Sequence, residues 1–257
     1  MKKLVLTLSG GMDSSVLLYM AQDRGFDEIH TVTFDYGQRH KRELSCVDKQ
    51  IDNLHNKLRA CSRPDQIYSV NITNKVLDVN YIKDIAPTSS LTNEEIDNPD
   101  ISEMAGDAQP VSYVPFRNLM FLSICSAYAE SVGADTVWYG AAQVDSLAGY
   151  WDGSEEFVDV VNNVTDLNRE NRILIEAPLL EMSKAEIIKE GARLGVKYKD
   201  TWTCYSDRKD KLADATTPSS SMRVKGFVDA GLKDPIAYIQ QEKLDKLYEE
   251  NNCKECA

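Results

Sequence analysis

The stretch Leu4-Val5-Leu6-Thr7-Leu8-Ser9-Gly10-Gly11-Met12-Asp13-Ser14-Ser15-Val16-Leu17-Leu18 decides the fold of this chain. Its apolar start, over residues 3–8, has the length of a buried strand and stops at two glycines. Residues 13–24 then carry Val16, Tyr19 and Met20 at helical spacing. A strand, a tight turn and a helix follow. In such a turn Gly10 and Gly11 let backbone N–H groups point inward, and the helix N-terminus adds partial positive charge. Ser9, Ser14 and Ser15 supply hydroxyl donors, so the segment reads as an anion cradle. It has no Walker lysine and no G-x-G-x-x-G spacing. Asp13 either holds a divalent cation or caps the helix; both readings are open here.

Working outward, residues 30–35 (His-Thr-Val-Thr-Phe-Asp) form a second β-rich run. Leu44, Val47, Ile51, Leu54 and Leu58 then mark one face of a charged helix, and a third strand is expected over 66–70. Residues 83–112 lack a period and read as a lid or substrate loop. The segment 117–132 is apolar nearly all round, which predicts a helix packed inside the protein. Strands are expected at 136–141 and 172–177, separated by a loop over 143–153 and a helix over 154–164. Ser183-Lys184-Ala185-Glu186 is a capping box opening a helix to about Leu194. Strand and helix alternate, so the fold expected is α/β: a parallel sheet with helices on both faces and ligands at the carboxyl ends of the strands. We divide it at 200, with residues 201–257 as a small helical C-terminal appendage.

The 257 residues carry 29 Lys and Arg against 41 Asp and Glu, a net charge of −12 that argues against a direct nucleic-acid partner. A small-molecule substrate is favoured instead. The N-terminal apolar run is too short for an export signal and nothing reaches membrane-spanning length. A cytoplasmic location is expected, and the six cysteines are expected to stay out of disulfides.

The cradle S-G-G-x-D-S-S resembles the pyrophosphate loop of the N-type ATP pyrophosphatases, which activate a carboxylate or carbonyl as its adenylate. Further motifs narrow the resemblance: Thr33-Phe-Asp-Tyr-Gly-Gln-Arg-His40 with Glu43, Ser90-Leu-Thr92, Val114-Pro-Phe-Arg-Asn118, Ala148-Gly-Tyr150, Pro178-Leu179 with Ser183-Lys184, Thr201-Trp-Thr-Cys-Tyr205 and Arg223-Val-Lys-Gly-Phe227. In that order they resemble the 7-cyano-7-deazaguanine synthases. The resemblance implies a Rossmann-like fold of the adenine nucleotide hydrolase type and, since relatives tend to pair, a homodimer. It implies ATP and Mg²⁺, adenylation of 7-carboxy-7-deazaguanine, then attack by ammonia to give the amide and finally the nitrile. Ser9, Gly10, Gly11, Asp13, Ser14 and Ser15 would hold the pyrophosphate, and Phe34 and Asp35 the adenine or ribose. Lys184 and Arg117 would serve the α-phosphate and the substrate carboxylate; Arg39, His40, Asn118, Asp145 and Tyr150 would line the substrate side. Two alternatives stand beside this: a ligase passing the activated base to another amine, on a small molecule or a protein, and a nucleotide-binding interaction protein without turnover.

One part of the pattern is broken. The synthases bind structural zinc through the Thr-Trp-x-Cys-Tyr cysteine and a C-x2-C-x2-C run, but here only Cys204 remains and Asp214, Thr217 and Ser220 stand in the other positions. Hydroxyls are poor zinc ligands, so a metal-free loop is expected. A site rebuilt from Cys204 with the tail pair Cys253 and Cys256 is the competing reading.

Overall fold

The computed structural model describes residues 1–37, 41–61, 70–93, 95–96, 110–142, 149–204 and 212–256. Its centre is a parallel sheet of β1 (Lys3–Thr7), β2 (Glu28–Asp35), β3 (Asn71–Asp78), β4 (Thr136–Trp138) and β5 (Leu174–Glu176), in the order β3-β2-β1-β4-β5. Both neighbours of β1 run parallel to it, with Val5 opposite His30 on one side and Val137 on the other. The side-chain alternation of β1 separates two cores. Leu4 and Leu6 join α1 (Met12–Asp23), α2 (Lys41–Cys61) and α6 (Lys184–Leu194) on one face. Val5 joins α4 (Arg117–Val132) and α5 (Glu155–Thr165) on the other, with Val32, Val137 and Ile175. A short α3 (Tyr81–Ile85) completes that layer through Ile82. This is the doubly wound α/β arrangement expected.

Two expectations are corrected. The third strand lies at Asn71–Asp78, paired with β2 from Glu28↔Asn71 to Asp35↔Asp78. Of the expected 66–70, only residue 70 is among the described residues. Its polar content, with Asn71, Thr73, Asn74 and Lys75, hid it from a hydrophobicity reading; an edge strand needs only one partner and few apolar residues. The second concerns α4, whose apolar circumference predicted full burial. Only Leu122, Cys125 and Ala129 are buried, a stripe at 3- and 4-residue spacing, while Met120, Phe121 and Ile124 are partly covered. The helix lies on the sheet as an outer layer.

The C-terminal helices α7 (Pro218–Ala230) and α8 (Gln241–Glu250) enclose a third apolar cluster around Trp202, Cys204, Tyr238 and Tyr248. Phe227 of α7 also reaches the first core, where its ring meets Tyr198 edge-on. A buried bidentate ion pair anchors this end: Arg223 Nε donates to Asp234 Oδ2 at 2.7 Å and Nη2 to Oδ1 at 3.0 Å. Arg223 Nη1 also donates to Thr201 Oγ1 and Nη2 to the Tyr198 carbonyl, while Tyr238 donates to Asp234. Removing one partner of such a pair strands a charge and costs about 3–5 kcal/mol, more than an average core methyl deletion.

Candidate active site

The sheet order reverses between β1 and β4, and ligands of such sheets bind in the crevice at that point. The Ser9–Gly11 turn emerges there, directly after β1. Gly10 has φ +87°, and a Cβ at that position would collide with the Glu43 carbonyl oxygen at the start of α2. Only glycine fits both requirements. Gly11 is the N-cap of α1 and no side chain caps the helix there. Its N–H donates to Ser9 Oγ at 3.2 Å, and the Ser9 N–H donates to Ser14 Oγ at 3.2 Å. Ser9 is exposed at the mouth of this cradle.

The serines divide their roles in a way their adjacency conceals. Ser15 is fully buried and donates to the Gly11 carbonyl at 2.7 Å, so it stiffens the loop from beneath rather than facing an anion. Ser14, also largely buried, donates to the same carbonyl at 3.2 Å but lies 3.2 Å from Ser9 Oγ as well, and it is the one whose hydroxyl adjoins the mouth. Asp13 does not cap α1. Its Oδ2 accepts from Lys184 Nζ at 2.8 Å, and its Oδ1 is buried with no hydrogen-bond partner among the described residues. An orphaned carboxylate oxygen beside an anion cradle fits a divalent cation shared with phosphate oxygens.

Lys184 opens α6, and its position is fixed twice. The capping box expected from sequence is present, with Ser183 accepting from the Glu186 N–H and Glu186 accepting from the Ser183 N–H. From the other side, a Cβ on Gly226 of α7 would lie 2.6 Å from Lys184 Cγ. The glycine lets α7 press the lysine stem toward Asp13. Gly226 was singled out in no sequence argument about the site, although a glycine inside a helix is a signal of close packing.

On the substrate side Arg117 begins α4, where Phe116 holds a left-handed backbone (φ 53°). Arg117 Nη1 donates to Tyr36 Oη at 3.4 Å and Nε to Asn118 Oδ1 at 3.3 Å. Tyr150 shares a hydrogen bond with Ser112, and the neighbouring Trp151 donates to Tyr113 Oη at 3.0 Å. The ring of Trp151 meets those of Phe116 and Phe157 edge-on, with centroids 5.6 Å and 5.2 Å away. Phe116 is 57% exposed and Trp151 39%, so this aromatic group presents flat apolar surface beside Arg117. Asp152 beneath it is buried, which raises its carboxyl above the usual range, with Arg117 pulling the other way. Phe116 stood in the quoted Val114–Asn118 motif without a role, and Tyr113, Trp151 and Asp152 in none; scattered aromatics read as core until their exposure is known.

The Phe34 ring is buried, stacked on Phe121 with centroids 3.8 Å apart and planes 2° from parallel, at the strand end where the adenine or ribose is expected. Asp35 sits at the strand end and accepts from the Gly37 N–H at 3.2 Å. Arg39, His40 and Asp145 lie outside the described residues. Glu43 was part of a quoted motif without a role, and the structure sets its carboxylate against the cradle: Ser9 Oγ donates to Glu43 Oε1 at 2.7 Å. Burial raises its carboxyl to about 7, the Ser9 hydrogen bond and Arg117 oppose that, and Asp13 adds to it.

The positions that carry the zinc ligands in the synthases do converge here, in hydrogen bonds. The Asp214 N–H donates to Cys204 Sγ at 3.3 Å, and Thr217 Oγ1 lies 3.9 Å from that sulfur and donates to Ser220 at 2.9 Å. Asp214 Oδ1 is engaged by Thr216 and Gln240. One thiol, two hydroxyls and a committed carboxylate do not fit zinc. Cys253 packs on the third cluster and Cys256 on the first, and among the described residues no group of three or more His, Cys, Asp or Glu is placed to hold a metal.

A glycine-rich anion cradle at the switch point of a doubly wound parallel sheet defines a nucleotide-binding α/β protein. Within that class the chain belongs to the QueC family: residues 3–231 match the family described as queuosine biosynthesis protein QueC. It is 37% identical over 244 residues to the 7-cyano-7-deazaguanine synthase of Clostridium kluyveri, covering 93% of this chain and 98% of that one. It is 35% identical over 257 residues to the synthase of Thermoplasma volcanium, covering 98% and 96%. Among solved structures, the U34-tRNA thiolase NcsA from Methanococcus maripaludis aligns with a TM-score of 0.46 and 14% identity, over 96% of this chain and 72% of that one.

Proposed function

We propose that the chain is an ATP-dependent carbon–nitrogen ligase that converts 7-carboxy-7-deazaguanine to 7-cyano-7-deazaguanine. The observation that carries this reading is the Lys184–Asp13 pair beside the Ser9–Gly11 cradle, in a chain of the QueC family. A carboxylate oxygen of the substrate attacks the α-phosphorus of ATP, and the bond to the β-phosphate oxygen breaks to release pyrophosphate. Ammonia then adds to the acyl carbon, loses a proton and displaces AMP. A second ATP activates the amide oxygen in the same way, and departure of AMP with loss of the remaining N–H protons leaves the nitrile.

The N–H groups of the cradle and the Ser9 and Ser14 hydroxyls face the charge that builds on the leaving pyrophosphate. Lys184 serves the α-phosphate. Asp13 Oδ1 would hold Mg²⁺, which when bound supplies positive charge to the phosphate oxygens. Arg117 pairs with the substrate carboxylate, and Phe116 and Trp151 give the base a surface to stack on. Residues 201–257 act as the appendage that props Lys184 from behind through Gly226. In this reading the enzyme works as a cytoplasmic homodimer with ammonia as the amine; among the described residues no helix is long and apolar enough to cross a membrane.

The test is incubation of the purified protein with ATP, Mg²⁺, 7-carboxy-7-deazaguanine and ammonium, followed by pyrophosphate assay and mass spectrometry of small molecules and protein. Nitrile product is the expected result. A mass shift on a protein would instead assign a conjugating ligase, and absence of pyrophosphate with every amine would leave a nucleotide-binding protein.

A further inference from the structure

We propose that the Glu43 carboxylate is the resident anion of the cradle, a stand-in for phosphate that withdraws when the nucleotide arrives. The inference rests on the nucleotide-binding reading above and adds a gate to it. Glu43 stands in the first turn of α2, and its main chain already braces the loop, because the Glu43 carbonyl fills the space that a Gly10 side chain would need. Its side chain turns back over the same loop. Oε1 accepts the Ser9 hydroxyl at 2.7 Å and lies 2.6 Å from where a Gly11 Cβ would project, so a carboxylate oxygen rests on the donors that suit a phosphate. Ser9 Oγ is also the atom that ties the loop together, accepting the Gly11 N–H and adjoining Ser14 Oγ at 3.2 Å.

Two like charges cannot share these donors. A phosphate entering the cradle meets the carboxylate at a distance where repulsion in a partly dry site is strong. The charges facing Glu43 from the other elements are Asp13 of α1, which repels it, and Arg117 of α4, which attracts it. Arg117 gives the displaced carboxylate somewhere to turn, and in turning toward Arg117 it would link arrival of the phosphates to the substrate side of the crevice. Glu43 is therefore a positioning residue that holds the loop in shape while the site is empty and competes with the ligand for it.

The experiment measures binding of inorganic pyrophosphate and of ATP by calorimetry at about pH 8.5, where the Glu43 carboxyl is ionised, with and without Mg²⁺, to the full-length protein and to Glu43→Gln and Glu43→Asp. Glutamine keeps the size and an acceptor for Ser9 but loses the charge, so Glu43→Gln is expected to bind pyrophosphate roughly tenfold more tightly. Glu43→Asp, whose carboxylate is drawn back by one methylene, is expected to fall between. The KM for ATP should drop in Glu43→Gln, a change that loss of a merely structural contact would not produce. Equal or weaker pyrophosphate binding by a Glu43→Gln protein whose thermal midpoint is intact overturns the gate and leaves nucleotide binding standing. No binding of pyrophosphate or ATP by any of the three proteins overturns both.

Discussion

Lys184 Nζ and Asp13 Oδ2 are 2.8 Å apart across 171 residues of chain, and this contact joins the start of α6 to the start of α1 at the rim of the anion cradle. Each group holds the other in place, and in the proposed reaction each has a further part: the lysine at the phosphate, the aspartate through Oδ1, which has no partner among the described residues. Lys184→Met is therefore expected to lower kcat for pyrophosphate release by about a hundredfold or more, the loss typical of removing one group that stabilises charge developing in the transition state. Asp13→Asn should lose activity as well and shift the Mg²⁺ dependence to higher concentration. Steady-state pyrophosphate assays at graded Mg²⁺ check both, and unchanged kcat in Lys184→Met would remove the lysine from the chemistry.

Gly226 sets where Lys184 stands. Its replacement by alanine puts a methyl 2.6 Å from Lys184 Cγ and 2.9 Å from Ile188 Cδ1. Overpacking of this kind costs about 1–3 kcal/mol. Gly226→Ala is expected to lower the thermal midpoint modestly and kcat by about tenfold, since small displacements of a catalytic group are felt strongly. Retention of full activity beside a lowered midpoint would show that α7 supports the fold but not the lysine.

The Glu43 carboxyl, raised to about 7 from an ordinary 4.5, ties stability to pH. Between those two values the folded protein keeps a proton that the unfolded chain has released, so this group's contribution to stability falls as pH rises through the window. Glu43→Gln lacks the group and should lack that part of the slope. The variant's thermal midpoint, relative to the parent, is expected to climb between about pH 4.5 and pH 8. A difference that stays constant over that range contradicts the raised carboxyl.

Cys204 sits in a hydrogen-bonded cluster with Asp214 and Thr217 at the positions of the synthases' zinc ligands, where a metal-free loop is expected. Elemental analysis of protein purified without chelator is expected to find no stoichiometric zinc, and addition of EDTA should leave the thermal midpoint unmoved. One zinc per chain would contradict this assignment and turn attention to the tail cysteines.

Much of the site was legible because its physics is local. The cradle is written in seven consecutive residues, and the Ser183–Glu186 capping box in four, so Lys184 could be placed at a helix start before any packing was known. Arg117 at the opening of α4 was legible for the same reason. Local pattern failed where a neighbour distant in sequence supplied the answer. β3 was missed because its strand character comes from pairing with β2, not from its own composition. Phe34 was expected at the nucleotide from its place at a strand end, but that its ring stacks on Phe121, far along the chain, could not be read there. Ser15 looked equivalent to Ser14, yet the roughly 100° step between successive helix residues turns it fully into the interior.

Sequence alone determined the class of fold, the anion cradle and the family resemblance, because strand–turn–helix periodicity and a glycine-rich loop act over a few residues and need no partner. Tertiary structure decided which groups meet. It joined Lys184 to Asp13, set Gly226 behind the lysine, laid Glu43 over the cradle and closed Cys204 into hydrogen bonds in place of thiolate neighbours. These are short-range electrostatic and packing contacts between residues far apart along the chain, and only the folded sheet brings them within reach.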